Sequence, residues 1–246
     1  MKTIVRVDHL AKRFGKTPVL ADVTFELPAR GVTVLLGANG EGKSTLLRLL
    51  LGLLKADAGT IEVLGLDPLK EPRALREQVA YVPDAPDNPA WMTPGELFRF
   101  LAPQYPAWRA ERALALAKDW DVPLDRPFKH LSRGQAARAM LAAALAQSPK
   151  LLLLDECFSG LDPVARRDLL GAFLGELARE EVATLLVTHD LDVAARVAER
   201  VLVLADGKIL HQGSLDEVLK VDEEAARVQS RLLGLLERAQ ATEPVA

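Results

Sequence analysis

Apolar and polar positions fall into short blocks along the chain. Thr3 to Asp8 and Ala21 to Leu27 read as strands, with an early turn at Gly15-Lys16, and Val32 to Leu36 (VTVLL) follows as a buried strand. Gly59 to Leu64 and Val79 to Val82 are further strands. From Pro83 the texture changes: five prolines between Pro83 and Pro103 interrupt the pattern, after which Arg109 to Trp120 and Gly134 to Gln147 are spaced as helices. Strand signals return at Leu151 to Asp155, Ala183 to Thr188, Val201 to Leu204 and Lys208 to His211, alternating with helices at Pro163 to Arg179 and Leu191 to Val197. Alternating strand and helix predict a mostly parallel sheet covered on both faces, interrupted by a helical insertion. There is no internal repeat and no low-complexity linker.

The segment joining VTVLL to the helix expected at Leu46 to Leu54 is GANGEGKST. Gly37, Gly42, Lys43 and Ser44 satisfy G-x-x-x-x-G-K-[ST], a phosphate-binding loop. Gly37, Gly40 and Gly42 allow backbone dihedrals that turn successive amides inward around a phosphate. The anion then sits on a helix N-terminus, Lys43 adds a full charge, and Ser44 offers a hydroxyl to Mg2+. Asn39 and Thr45 complete the expected nucleotide-binding set. Ligands in such sheets collect at the carboxyl ends of strands, and LLLLDE places two acids at another such end. With a phosphate loop present, Asp155 is the expected Mg2+ ligand and Glu156 the group that polarises or deprotonates the attacking water.

Composition adds exclusions. At 246 residues, 49% hydrophobic and 26% charged, the chain can bury a full core. A formal net charge of −3 offers no basic face, so no direct nucleic-acid partner is expected. The single cysteine, Cys157, excludes an internal disulfide and a zinc cluster of several Cys, as fits a cytoplasmic protein. MKTIVRVDHLAKRF lacks the apolar region of a signal peptide. The most apolar segment, Leu46 to Leu54, contains Arg48 and falls well short of the roughly 20 residues that span a bilayer.

Further segments narrow the choice. LSRGQ (Leu131 to Gln135) opens a helix, LLLLDE follows after one helix length, SGLDP (Ser159 to Pro163) comes next, and VTHD carries His189. In this order, from about Val5 to Leu219, they resemble an ABC ATPase subunit. The resemblance implies a P-loop NTPase of ABC type, α/β, with a mostly parallel core, an antiparallel β subdomain and an inserted helical subdomain. Residues 1–220 would form the ATPase domain, with 1–83 and 148–220 as RecA-like core plus β lobe and 84–147 as the helical part. It implies ATP and Mg2+ as cofactors and a head-to-tail dimer, homo- or heteromeric, with each ATP between one phosphate loop and the other chain's LSRGQ. Ser132, Gly134 and Gln135 would contact the γ-phosphate there; Ser132 as a plain N-cap is compatible with that role. Asp162 would bridge the protomers, His189 would touch the γ-phosphate, and Phe14 in KRFGK would stack on adenine, an ordinary core Phe being the alternative.

Departures from the family pattern also matter. Arg133 replaces the first Gly of LSGGQ and is expected to point outward. Cys157 reads as a small buried apolar residue rather than a nucleophile. Asp84 in YVPDAP replaces the usual Gln; it is expected either to serve catalysis as an Mg2+ ligand or to be only a turn residue. The aromatics Trp91, Phe98, Phe100, Tyr105 and Trp108 are expected to be mostly core, while the resemblance implies that this region receives a helix of a membrane subunit. The stretch looks most like ATPases of bacterial drug-export-type systems. The tail 221–246 has a helical apolar pattern at Ala225, Val228, Leu232, Leu235 and Leu236, followed by a loose ATEPVA. The leading expectation is an ATP-hydrolysing subunit, peripheral on the inner face of the cell membrane, that powers transport through separate permease chains. A soluble ABC-type ATPase with a non-transport partner, and a nucleotide-gated module with little hydrolysis, remain open at this point.

Overall fold

The computed structural model describes residues 2–85, 88–180 and 182–215, together with Glu217 and Leu233. Of the tail expected to be helical, 221–246, all but Leu233 lies outside these residues. In chain order the elements are β1 (Thr3–Phe14), β2 (Thr17–Pro28), β3 (Gly31–Leu36), α1 (Lys43–Leu50), β4 (Ala58–Val63), α2 (Pro72–Arg76), β5 (Val79–Val82), α3 (Pro94–Leu101), α4 (Ala110–Asp119), α5 (Arg133–Ala146), β6 (Leu151–Asp155), α6 (Pro163–Glu180), β7 (Ala183–Thr188), α7 (Leu191–Val197), β8 (Arg200–Ala205) and β9 (Lys208–Ser214). Short 3-10 turns lie at 102–104 and 128–130. The chain forms two compact units, residues 1–75 with 183–246, and residues 76–182.

In the first unit the strand order is β4-β1-β2-β9-β8-β3-β7. β3 runs parallel to β7 and to β8, whereas β1 is antiparallel to both β2 and β4, and β8 to β9. Burial follows this division. β7 is buried at every position, and β3 and β8 at all but their first, as strands covered on both faces require. In β2 only Val23, Phe25 and Leu27 of the second half are buried, alternating with exposed Asp22, Thr24 and Glu26, so that stretch covers the core on one face. β1 and β2 are each 12 residues long, well beyond the two strands expected at Thr3 to Asp8 and Ala21 to Leu27. The reason is a shift of register between Val7 and Leu10, where His9 takes φ 47 and the inward–outward rhythm breaks while pairing continues.

α1 runs from Lys43 to Leu50, against an expected Leu46 to Leu54. Its start is set by Gly42 at the N-cap with φ 94. Its end is set by Gly52 at φ 67, where the Gly52 amide donates to the Leu49 carbonyl at 3.0 Å and the Leu53 amide to the Arg48 carbonyl at 2.9 Å. The apolar run continues past this point, but the backbone has already turned.

In the second unit β5 and β6 pair in parallel, with Val79 opposite Leu151 and Val82 opposite Leu154. α5 packs against β5, α3, α4 and α6. It buries Ala136, Ala139, Leu141 and all residues from Ala142 to Ala146, so its central position matches a helix that is apolar nearly all round. α3 falls among the prolines, where no helix was expected. Pro94 is compatible with its first turn, the Thr93 hydroxyl accepts from the Glu96 amide at 3.1 Å, and the Glu96 carboxylate accepts from the Thr93 amide at 2.9 Å. Phe98 is buried, its ring centroid 6.2 Å from that of half-buried Trp108. Trp91 and Phe100 are 64% and 58% exposed, so these two of the five aromatics, a group expected to be mostly core, are surface residues.

Candidate nucleotide-binding site

Gly37 to Gly42 connects β3 to α1 without regular structure. Gly40 and Gly42 both take φ 94, a conformation open to glycine at little cost. Gly37 is required for a different reason than the dihedral freedom expected of it. It is absent from the positive-φ positions, but a Cβ there would lie 2.6 Å from the Leu204 carbonyl oxygen of β8. A Cβ at Gly42 would lie 2.9 Å from Val19 and 3.0 Å from Leu20 of β2, so the loop is held closely on two sides. Lys43 is buried, and its ammonium donates to the carbonyls of Gly37 at 2.8 Å and Ala38 at 2.9 Å. Those two bonds fold the cation over the loop instead of out into solvent. Glu41, inside the loop, accepts from the Asp206 amide at 2.7 Å and ties the loop to the β8–β9 turn. Ser44 is exposed in the first turn of α1, Thr45 half-buried, and Asn39 exposed.

The register of β3 and β7 aligns Leu36 with Thr188, so Gly37 and His189 both leave the sheet at neighbouring strand ends. His189 is exposed there. The next residue, Asp190, accepts from the amides of Asp192 at 2.9 Å and Val193 at 3.1 Å, which starts α7 and fixes the exit of β7. Phe14 ends β1 and is 49% exposed with the Lys12 ammonium 5.6 Å from its ring centroid, so the core reading of Phe14 does not hold.

The second unit carries the acids. Asp155 ends β6 and is buried, and the Tyr81 hydroxyl of β5 donates to its carboxylate at 3.3 Å. Sequence reasoning missed Tyr81; its place on the strand paired with β6 was the available signal. Glu156 follows at φ 52, a left-handed value that costs a residue with a Cβ about 1–2 kcal/mol. Its carboxylate accepts from the Ser159 hydroxyl at 2.7 Å. Such a backbone is the kind of local strain that gathers at functional positions. Cys157, next in line, is fully buried; burial pushes its thiol far up, the Asp155, Glu156 and Asp84 charges pushing the same way, so it is no nucleophile.

LSRGQ is the start of α5. Ser132 is the N-cap, its hydroxyl accepting from the Gln135 amide at 3.2 Å, while the Gln135 side chain accepts from the Ser132 amide at 3.0 Å. Gly134 is therefore inside the first helical turn rather than in a preceding turn, and no atom beyond its immediate neighbours lies closer than 3.9 Å to a Cβ built on it. Asp162 accepts from the amides of Val164 at 3.1 Å and Ala165 at 3.0 Å at the start of α6. Arg133 is half-exposed, yet it does not simply project into solvent: its guanidinium donates to Asp84 at 2.7 Å. A pair with both side chains about half exposed contributes about 0.2–1 kcal/mol.

Among the described residues no group of three or more His, Cys, Asp or Glu gathers to hold a metal. A magnesium ion that arrives with phosphates needs only one or two protein oxygens; Ser44 in the first unit offers one oxygen donor of the hard kind it prefers, and Asp155 in the second, taken by itself, offers another.

Residues 20–159 match the ABC transporter family. The chain is 39% identical over 215 residues to the aliphatic sulfonates import ATP-binding protein SsuB of Mycobacterium avium, covering 85% of this chain and 80% of that protein. It is 34% identical over 244 residues to the sulfate/thiosulfate import ATP-binding protein CysA of Yersinia pseudotuberculosis, covering 95% of this chain and 66% of that protein. The solved structure of cbiO1 from Clostridium perfringens, described as part of the ABC transporter complex cbiONQ, matches with a TM-score of 0.78 at 28% identity, over 98% of this chain and 100% of that one. A phosphate loop closed over Lys43, acids at the end of β6 and a capped LSRGQ helix are thus found in a chain that belongs to the ABC transporter family, as an ATP-binding and ATP-hydrolysing subunit with the α/β fold of that family.

Proposed function

We propose that this chain is one half of an ATP-driven pair that powers solute passage through separate membrane subunits. The observation that carries the reading is the phosphate loop, with Lys43 drawn over it by two carbonyls and the α1 N-terminus directly behind. ATP binds there, with Phe14 stacking on adenine and the loop amides, Asn39, Lys43 and Thr45 taking the phosphates. Ser44 from the first unit and Asp155 from the second would each offer an oxygen to Mg2+, which would supply charge neutralisation at the terminal phosphates. Glu156 takes the proton of the attacking water, and His189 hydrogen-bonds the γ-phosphate. Asp84, in the loop after β5, serves as a ligand of the metal or as the partner of Arg133.

Ser132, the Gly134 amide and Gln135, at the positive end of α5, receive the nucleotide of a second ABC ATPase, identical or not, and Asp162 bridges the two chains. The protein acts peripherally at the inner face of the membrane. Among the described residues no helix is long and apolar enough to cross a membrane; the reading assigns the channel to separate permease chains. Exposed Trp91 and Phe100 supply anchors for a helix of that permease. The drug-export type suggested by the stretch around these aromatics finds no support, since SsuB and CysA are both named for import.

Glu156→Gln is the test. With saturating Mg-ATP this variant elutes from size exclusion as a dimer and hydrolyses at least about 10²-fold more slowly than the unmodified chain. An unchanged elution volume would remove the dimer mechanism. A multi-span membrane protein co-purifying from detergent-solubilised membranes, and lost with Trp91→Ala and Phe100→Ala, is the expected outcome for coupling; a soluble partner instead would overturn the transport role.

A further inference from the structure

Two departures of this chain from its family's motifs meet in space. Asp84 lies in the loop after β5 and Arg133 at the first position of α5, 49 residues apart, and the Arg133 Nη2 lies 2.7 Å from Asp84 Oδ1. The same guanidinium lies against Gly160 of the SGLDP segment. A Cβ added to Gly160 would sit 2.5 Å from Nη1 and 2.7 Å from Cζ, so the bare backbone there, at φ 68, is what makes room for the arginine. One side chain thus links the loop after β5, the start of α5 and the loop that leads to α6. Asp84 and Arg133 also wall, with Val82, Ala136, Met140 and Cys157, a pocket of about 270 Å³.

The charges explain why the two departures belong together. A lone cation at a helix N-terminus faces the positive end of the macrodipole, and a lone carboxylate in the loop that serves a polyanionic nucleotide repels it. Paired, they present no net charge. We propose that Arg133 is a positioning residue for Asp84: the ion pair holds the loop after β5 against the start of α5 and cancels its charge, so each departure is tolerated only in the presence of the other.

The inference rests on the proposed function, because the loop is taken to serve ATP hydrolysis. The experiment is a double-mutant cycle of the full chain with Asp84→Gln, Arg133→Gln and the combination, Arg133→Gly being run in parallel to reproduce the family's own residue. Arg133→Gln is expected to lower kcat about three- to fivefold with KM for ATP unchanged, and to cost less than about 1.5-fold in the Asp84→Gln background. Arg133→Lys, which keeps the charge, is expected to recover most of the loss. The same cycle read by thermal unfolding without nucleotide is independent of hydrolysis: Arg133→Gln lowers Tm by about 1–3 °C when Asp84 is present and by under about 0.5 °C when it is replaced. Equal costs in both backgrounds, in either readout, would overturn the pair. Failure of the proposed function looks different, as hydrolysis that persists in a Lys43→Ala control.

Discussion

Gly37→Ala tests how the phosphate loop is held. The added Cβ would stand 2.6 Å from the Leu204 carbonyl oxygen, and ordinary contact begins at 3.4 Å, so something must move by about 0.8 Å. Leu204 is not free to yield. It is a main-chain position of β8, which pairs with β9 through Leu204 and Ile209 and with β3 through Val203 and Leu36. The loop therefore moves, drawing the Gly37 carbonyl away from the Lys43 ammonium that it now meets at 2.8 Å. Overpacking of this kind costs about 1–3 kcal/mol. In a chain of this length each kcal/mol lowers Tm by about 2–4 °C. A displacement approaching 1 Å in a positioning loop costs on the order of 10²-fold in turnover. The assay pairs calorimetric titration of Mg-ATP with thermal unfolding. Gly171→Ala controls for the substitution itself: a Cβ there meets nothing within 4 Å, it lies within α6, and it should raise stability by about 1 kcal/mol. A Gly37→Ala protein that bound Mg-ATP within twofold of the original and melted within about 1 °C of it would refute the reasoning.

Lys43→Ala removes the donor to two loop carbonyls as well as a charge, and is expected to weaken ATP binding at least about 100-fold; retained affinity in a fluorescent-nucleotide titration would overturn the loop assignment. Ser132→Asp keeps an N-cap of equal quality but adds a negative charge at the α5 N-terminus, so Tm should hold within about 2 °C while hydrolysis is lost. If hydrolysis survived, Ser132 would be a cap alone. The Cys157 thiol, fully buried and pushed up by that burial, should resist iodoacetamide at pH 8 in the native protein and react once urea unfolds it; rapid native alkylation would contradict the burial.

Elements whose pattern and boundaries coincide were readable from the chain alone. β5, β6, β7 and α7 run over the expected residues: a buried or nearly buried strand bounded by polar or turn residues leaves little choice of ends, and Asp190 caps the start of α7. The motifs themselves are local in sequence: a glycine-rich loop before a helix, or an acid closing a strand with a second directly after it. Other features failed for physical reasons that can be named. α3 was hidden by proline density, although T-P-G-E spells a capping box with proline in the first turn. The ends of β1 were hidden by the register shift near His9, which breaks the alternation without breaking the pairing. Arg133 was expected to point outward; its carboxylate partner lies 49 residues away, and nothing in sequence announces it.

Sequence by itself determined which residues can carry this chemistry and which family they belong to, because a phosphate loop, a buried strand ending in acids and a capped helix are each specified by a few adjacent residues. Tertiary structure decided what holds them in place. The need for Gly37 comes from a carbonyl on β8, the partner of Asp155 from a tyrosine on β5, and the anchor of Glu41 from the β8–β9 turn. These are contacts between strands distant in sequence, and no local propensity encodes them; they exist only once the sheet has set its strand order and register.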